Sequence, residues 1–128
     1  VIYPAKESGW EGVSPIGYKN EPGTWMDVAR HPLYADPNSS FEVRAFELGP
    51  GGYTSLEKHG HEHCVVVLSG HGTVTLEDET AELKPHDVVR VPSWAVHQFK
   101  AGPEGLTILC IVDQERDRPV LIEPGFLP

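Results

Sequence analysis

Residues 51–70 read GGYTSLEKHGHEHCVVVLSG, and this stretch decides how the rest of the chain is read. Glu57, His59, His61 and His63 share parity, so in an extended segment all four side chains leave the same face. Neighbours at i and i+2 stand roughly 6 to 7 Å apart, so two of them can reach one cation but a straight row of four cannot. The chain must bend, and Gly60 permits the bend. A further ligand then has to come from elsewhere. The best placed residue is His97, which follows Pro92-Ser93-Trp94-Ala95-Val96 at the start of a later apolar alternation.

Working outward, short strand-like runs alternate with Gly/Pro punctuation. Phe41, Val43 and Ala45 alternate with Glu42 and Arg44, Gly49-Pro50-Gly51-Gly52 reads as a turn, and 65–68 is a β-branched run closed by Ser69-Gly70. Runs at 73–76, 81–83, 88–91, 97–100 and 106–112 follow, separated by Glu77-Asp78-Glu79, Lys84-Pro85-His86-Asp87, Pro92 and Ala101-Gly102-Pro103. That spacing predicts an all-β sandwich or barrel. Residues 1–40 carry turn signals at Ser14-Pro15, Glu21-Pro22-Gly23, His31-Pro32 and Asp36-Pro37-Asn38, and read as an extended, partly irregular arm with one short strand, covering the barrel or a partner. The expected division is an arm over 1–40, a barrel over 41–113 and a mixed-charge tail over 114–128, whose residues 120–126 fold back on a surface or a partner.

The 128 residues suit one domain. Thirteen Gly and twelve Pro exclude a helical bundle, and no window carries a 3.6-residue apolar repeat. A formal charge of −9 without any Lys/Arg cluster argues against a nucleic-acid partner. The longest strongly apolar run, 64–68, is far short of the roughly 20 residues of a membrane span. The first residues lack a basic-then-apolar signal layout, so the expectation is a cytoplasmic protein with Cys64 and Cys110 reduced.

The spacing in the two histidine-bearing stretches resembles the paired motifs of the cupin superfamily. The first family motif is G-x5-H-x-H-x3,4-E-x6-G. Counted from Gly51, it places its slots on Glu57, His59, His63 and Gly70, with the carboxylate and one imidazole exchanged. The second, G-x5-P-x-G-x2-H-x3-N, falls on His86, Pro92, Trp94, His97 and Ala101, so His86 and Trp94 stand where the family has Gly, and Ala101 where it has Asn. The resemblance spans about 41–112 and implies a single-domain jelly-roll β-barrel with a metal in its mouth. It implies the ligand set Glu57, His59, His63 and His97, with His61 a rival to Glu57 because His59-Gly60-His61 is itself an H-x-H.

Three neutral imidazoles and one carboxylate suit Fe, Mn, Zn, Ni, Co or Cu better than Ca or Mg, and the ligand types do not choose among the six. The resemblance further implies a small-molecule substrate, a homodimer, and most of all a dioxygenase-type oxidoreductase. Lewis-acid chemistry of the isomerase, cyclase or lyase kind and non-catalytic ligand sensing are the alternatives. No protein nucleophile is required; a metal-bound water or oxidant would do the chemistry.

Around this set the remaining candidates keep two readings each. Cys110 lies mid-strand and is either a pocket-facing thiol or plain core, whereas Cys64 follows a ligand and packs on the opposite face. His31, His71 and His86 read as surface or turn residues, and Glu62 as a partner for a ligating imidazole or a solvated charge. Trp94, Tyr53 and Phe99 are candidates for the pocket wall, and Arg44 and Arg90 for an acidic substrate group.

Overall fold

The computed structural model describes residues 1–18, 24–116 and 119–122. Among them there is no helix, and nine strands form one curled, fully antiparallel sheet. The strands are β1 (Ile16–Tyr18), β2 (Met26–Ala35), β3 (Phe41–Tyr53), β4 (Glu57–Lys58), β5 (His63–Leu76), β6 (Glu79–Leu83), β7 (Val88–Val91), β8 (His97–Asp113) and β9 (Val120–Leu121). One path runs β1-β2-β3-β8-β4-β9. On its other edge β8 pairs with β5, which in turn pairs with β7 near His63 and with β6 near Leu76. No described helix is long and apolar enough to cross a membrane.

The strands are longer than the sequence pattern suggests, because several turn signals are bulges inside strands. Gly49-Pro50-Gly51-Gly52 interrupts the β3–β8 register between Leu48 and Tyr53 without ending β3. Ser69-Gly70 does the same to β5, whose register against β8 slips between Val67 and Ser69 and again between Gly70 and Gly72. Gly70 has φ +79°, and a Cβ there would lie 2.3 Å from the Gly105 carbonyl oxygen on β8. Close backbone approach and left-handed geometry together require glycine. The extra residues bend β5 and β8, so each long strand serves both ends of the barrel.

Residues 1–40 are also more ordered than an irregular arm. Ten-residue β2 lies antiparallel to β3 from Met26↔Tyr53 to Ala35↔Glu42. His31-Pro32 is therefore mid-strand. Proline is tolerated because the β2–β3 register breaks between Pro32 and Tyr34, and because β1 pairs only with Val28 to Arg30, so that among the described residues no outer strand pairs at Pro32. His31, read as a surface or turn residue, is buried at 2% exposure, its ring 5.5 Å edge-on from Trp10. Ser8 Oγ–H donates to Glu47, which fastens the same N-terminal segment to the outer face of β3.

Alternation places Val65 and Val67 of β5, Leu106, Ile108, Cys110 and Val112 of β8, Phe46 and Leu48 of β3, and Val89 and Val91 of β7 in one interior cluster. Each fully buried aliphatic side chain of this kind contributes about 1.5–3 kcal/mol. Cys64 points the other way and is half-buried. Val65, not Cys64, is Cys110's cross-strand partner, so the two thiols occupy opposite faces and both are free.

Candidate functional site

At one end of the barrel the interior changes from aliphatic to imidazole. His63 begins β5, His97 begins β8, and Glu57 lies on the two-residue β4, directly paired with His97. His59 sits in the turn between β4 and β5 and is 1% exposed. The second-motif turn grips that loop: the Trp94 N–H donates to the His59 carbonyl at 2.7 Å, and Ser93 Oγ–H donates to the Gly60 carbonyl at 2.6 Å. His86 and Trp94, at the family's glycine positions, keep glycine-like backbones with φ 75° and 65°.

Tautomers follow from the hydrogen bonds. A carbonyl only accepts, so His59 Nδ1–H donates to the His61 carbonyl at 2.8 Å and His97 Nδ1–H to the Ala95 carbonyl at 2.9 Å. Both rings therefore present a lone pair at Nε2. His63 Nε2 lies 2.7 Å from His59 Nε2, while its Nδ1 lies 3.0 Å from Cys110 Sγ. Either His63 Nε2–H donates across to His59, or a cation takes that proton's place and His63 Nδ1–H turns to the sulfur.

Glu57 Oε1 stands 3.9 Å from the Nε2 atoms of both His59 and His97. Its other oxygen accepts a 2.5 Å hydrogen bond from Ser55, itself 1% exposed. His59, His63 and His97 offer three ligand atoms within 4.8 Å of one another. Adjacent ligands about 2.1 Å from one cation stand roughly 3 Å apart, so the cluster has the scale of a coordination shell. The donor set fits a divalent transition metal and leaves its identity open.

Burial sets the protonation of the rings. His63 is lowered from 6.5 to about 2, first by desolvation and then by His59, His97, His61 and Arg44. His97 is lowered to about 4, again first by burial, with its hydrogen bond to Ala95 opposing. Neutral imidazoles are the ligating form. Burial pushes the Cys110 thiol up, partly offset by the nearby Arg44 guanidinium.

The cluster opens on a cavity of about 390 Å³. Its walls include Glu57, His61, His63, His97 and Cys110, with Trp25, Phe46, Val65, Phe99 and Ile108 as the apolar part. His61 is brought in as well: its ring stacks on His59 at 3.7 Å, face to face, and stays outside the three-nitrogen cluster. Phe99 shares the wall with His97, as parity predicts. Trp94 is 54% exposed, and neither it nor Tyr53 is part of the lining; Trp25, just ahead of β2, takes the aromatic place instead. Arg44 faces the cavity and Arg90 faces solvent.

Ser55, Arg30, Gln114 and Arg116 were not singled out by sequence. Ser55 had a readable signal, since it precedes Glu57 by two positions. Arg30 was hidden by the misread β2, and Gln114 and Arg116 by lying beyond the barrel motifs.

Residues 44–112, more than half of the chain, match the model of the Cupin domain family. A curated relative, 1-methylthio-D-xylulose 5-phosphate methylsulfurylase of Rhodospirillum rubrum, is 40% identical over 114 residues, 88% of this chain and 73% of that protein. Among solved structures, a cupin-2 domain from Rhodospirillum rubrum superposes with a TM-score of 0.87 at 37% identity, covering 94% of this chain and 82% of that one. A cupin 2 conserved barrel domain protein from Rhodopseudomonas palustris gives 0.85 at 38%, covering 91% and 81%. The antiparallel barrel, the spacing of both motifs and these likenesses agree: the chain belongs to the cupin family.

Proposed function

We propose that this chain is a metal-dependent enzyme acting on a small organic phosphate, with a methylthio-bearing sugar phosphate as its first candidate substrate. The observation that carries this reading is the convergence of Nε2 of His59, His63 and His97 with Glu57 Oε1 beside a cavity lined by both apolar and charged side chains. The name of the Rhodospirillum rubrum relative supplies the candidate substrate. A divalent cation held by Glu57, His59, His63 and His97 would supply Lewis acidity toward a substrate oxygen.

The chain's own residues do the rest. Ser55 holds the Glu57 carboxylate in place from behind, and the His61 and Ala95 carbonyls fix the tautomers of His59 and His97. Trp25, Val65, Phe99 and Ile108 give the cavity its apolar wall, against which the carbon skeleton of a substrate would pack. The Cys110 thiol, against His63, is the nucleophilic atom nearest the cluster among the lining residues.

The dioxygenase reaction implied by the resemblance would use the same donors, and one experiment separates the two. Metal-replete protein is incubated with 1-methylthio-D-xylulose 5-phosphate and a small thiol as acceptor, while dissolved oxygen is recorded. Loss of the methylthio group without oxygen uptake supports the reading. Oxygen consumed in step with substrate replaces it with the oxidative one. A second copy of the chain is the proposed partner, suited to the exposed Tyr34, Phe41, Val88 and Ile111 on the outer face, and light scattering after size exclusion tests it.

A further inference from the structure

The cavity has a cationic wall that the donor cluster does not explain. In a chain of net charge −9 with only ten Lys and Arg, three arginines, Arg30, Arg44 and Arg116, line this one space. Among the described lining residues Glu57 is the single carboxylate, and it faces the histidines. Arg116 is already engaged, its guanidinium 3.0 Å from Glu42 and donating to the Asp113 carbonyl at 2.9 Å. Arg44 is different.

The Arg44 guanidinium lies over the Phe46 ring at 5.0 Å, and one terminal N–H points to Cys110 Sγ at 3.6 Å. Its Nε is buried and has no hydrogen-bond partner among the described residues. A buried N–H on a charged group without an acceptor is costly, and the Arg44 side chain that carries it lines the cavity with no carboxylate paired to it among the described residues. Two parallel N–H groups of a guanidinium match two oxygens of an oxyanion. Arg30, in register with Phe46 across β2 and β3, lines the same space and adds positive potential beside the ring.

We propose that Arg44 anchors an anion subsite, which holds the phosphate of the substrate against the cavity wall beside Cys110. This rests on reading the cavity as the substrate site. Arg44 and Cys110 are cross-strand partners, and Cys110 Sγ lies 3.0 Å from His63 Nδ1. Through that thiol and ring, the guanidinium is at most about 11 Å from a cation bound at His63 Nε2. That span is within the length of a short substrate, whose phosphate would lie against the guanidinium while its reacting atom lies at the donor cluster.

The test is calorimetric titration of inorganic phosphate into metal-loaded and metal-depleted protein. One site per chain is expected in both forms. Arg44→Gln weakens it at least tenfold with metal content unchanged, and Arg90→Gln, on the solvent side of β7, leaves it as it was. Should Arg44→Gln fail to fold by circular dichroism, Arg44→Lys keeps the charge, loses the fork and binds phosphate several-fold more weakly. Equal affinity in the folded Arg44 variant, or phosphate binding that vanishes with the metal, overturns the subsite. The expected pattern in a protein that leaves the methylthio sugar phosphate intact keeps the subsite and removes only the proposed reaction.

Discussion

Replacing Ser55 by alanine tests which residue completes the donor set, without touching a candidate ligand. Ser55 is 1% exposed and its hydroxyl donates to Glu57 Oε2, leaving Oε1 to face the Nε2 atoms of His59 and His97. The Glu57 side chain is itself only 12% exposed, so water does not readily replace the lost donor. A hydrogen bond to a buried charge contributes about 1.5–3 kcal/mol. Groups that orient a metal ligand typically change affinity by about 10–100-fold, which is about 1.4–2.7 kcal/mol and falls in the same range. Competition against a chromogenic chelator, with Zn or Mn at fixed pH, should therefore show Ser55→Ala weaker by about one to two orders of magnitude. His61→Ala removes a ring that stacks on His59 but offers no nitrogen to the cluster, and should leave affinity nearly unchanged. A silent Ser55→Ala beside a His61→Ala that loses metal refutes the argument and makes His61 the fourth ligand.

Gly70→Ala should be among the most damaging single-methyl changes. Its Cβ would meet the backbone of Gly105 and Leu106 at φ +79°, and strain plus overpacking suggest a loss of about 3 kcal/mol, read as the urea midpoint; a loss below about 1 kcal/mol would mean the β5–β8 bulge is pliable. His86→Gly should do the opposite. The ring is exposed and φ is 75°, so removing the side chain stabilises by up to about 1 kcal/mol, and a lower melting temperature would show a side-chain role not visible in its contacts. The metal-free protein should lose stability on acidification. His97 stays neutral when folded down to about pH 4 but is protonated below 6.5 when unfolded, so its contribution is complete above pH 6.5. It falls by about 3 kcal/mol as the pH drops through that window. Urea midpoints flat from pH 7 to 4.5 would contradict the burial of this ring.

Much of the site was legible because metal ligation constrains spacing more tightly than identity. Counting from Gly51 and from His86 picks out Glu57, His59, His63 and His97, which the structure brings to one end of the barrel, with the carboxylate and one imidazole in exchanged slots. At His86 and Trp94 even the loss of glycine leaves the left-handed backbone in place, so the turn shape outlasts the residue that usually favours it. Turn residues were the poorer guide. Gly-rich and Pro-containing stretches at 31–32, 49–52 and 69–70 look like strand ends but are bulges and an edge proline within β2, β3 and β5. Local composition cannot tell a chain reversal from a bend in a continuing strand, since both need the same φ freedom. The arginines were hidden for a related reason: inward orientation on β2 or after β8 follows from pairing with distant strands, which no local pattern reports.

β4 is only two residues long, yet Glu57 is bridged on one side to His97 and on the other to Leu121, and the Ile122 N–H donates to the Leu56 carbonyl. Neither contact is local. Each closes a long loop whose entropy must be offset before the two residues of β4 are held, so Glu57 is poised to reach its place only after β8 and β9 have docked. The carboxylate position should then be a late event in folding, with the imidazoles of β5 and its turn waiting for it. Premature capture of an ion by the histidine string alone would compete with that order, and refolding in excess metal should run slower than refolding followed by metal addition.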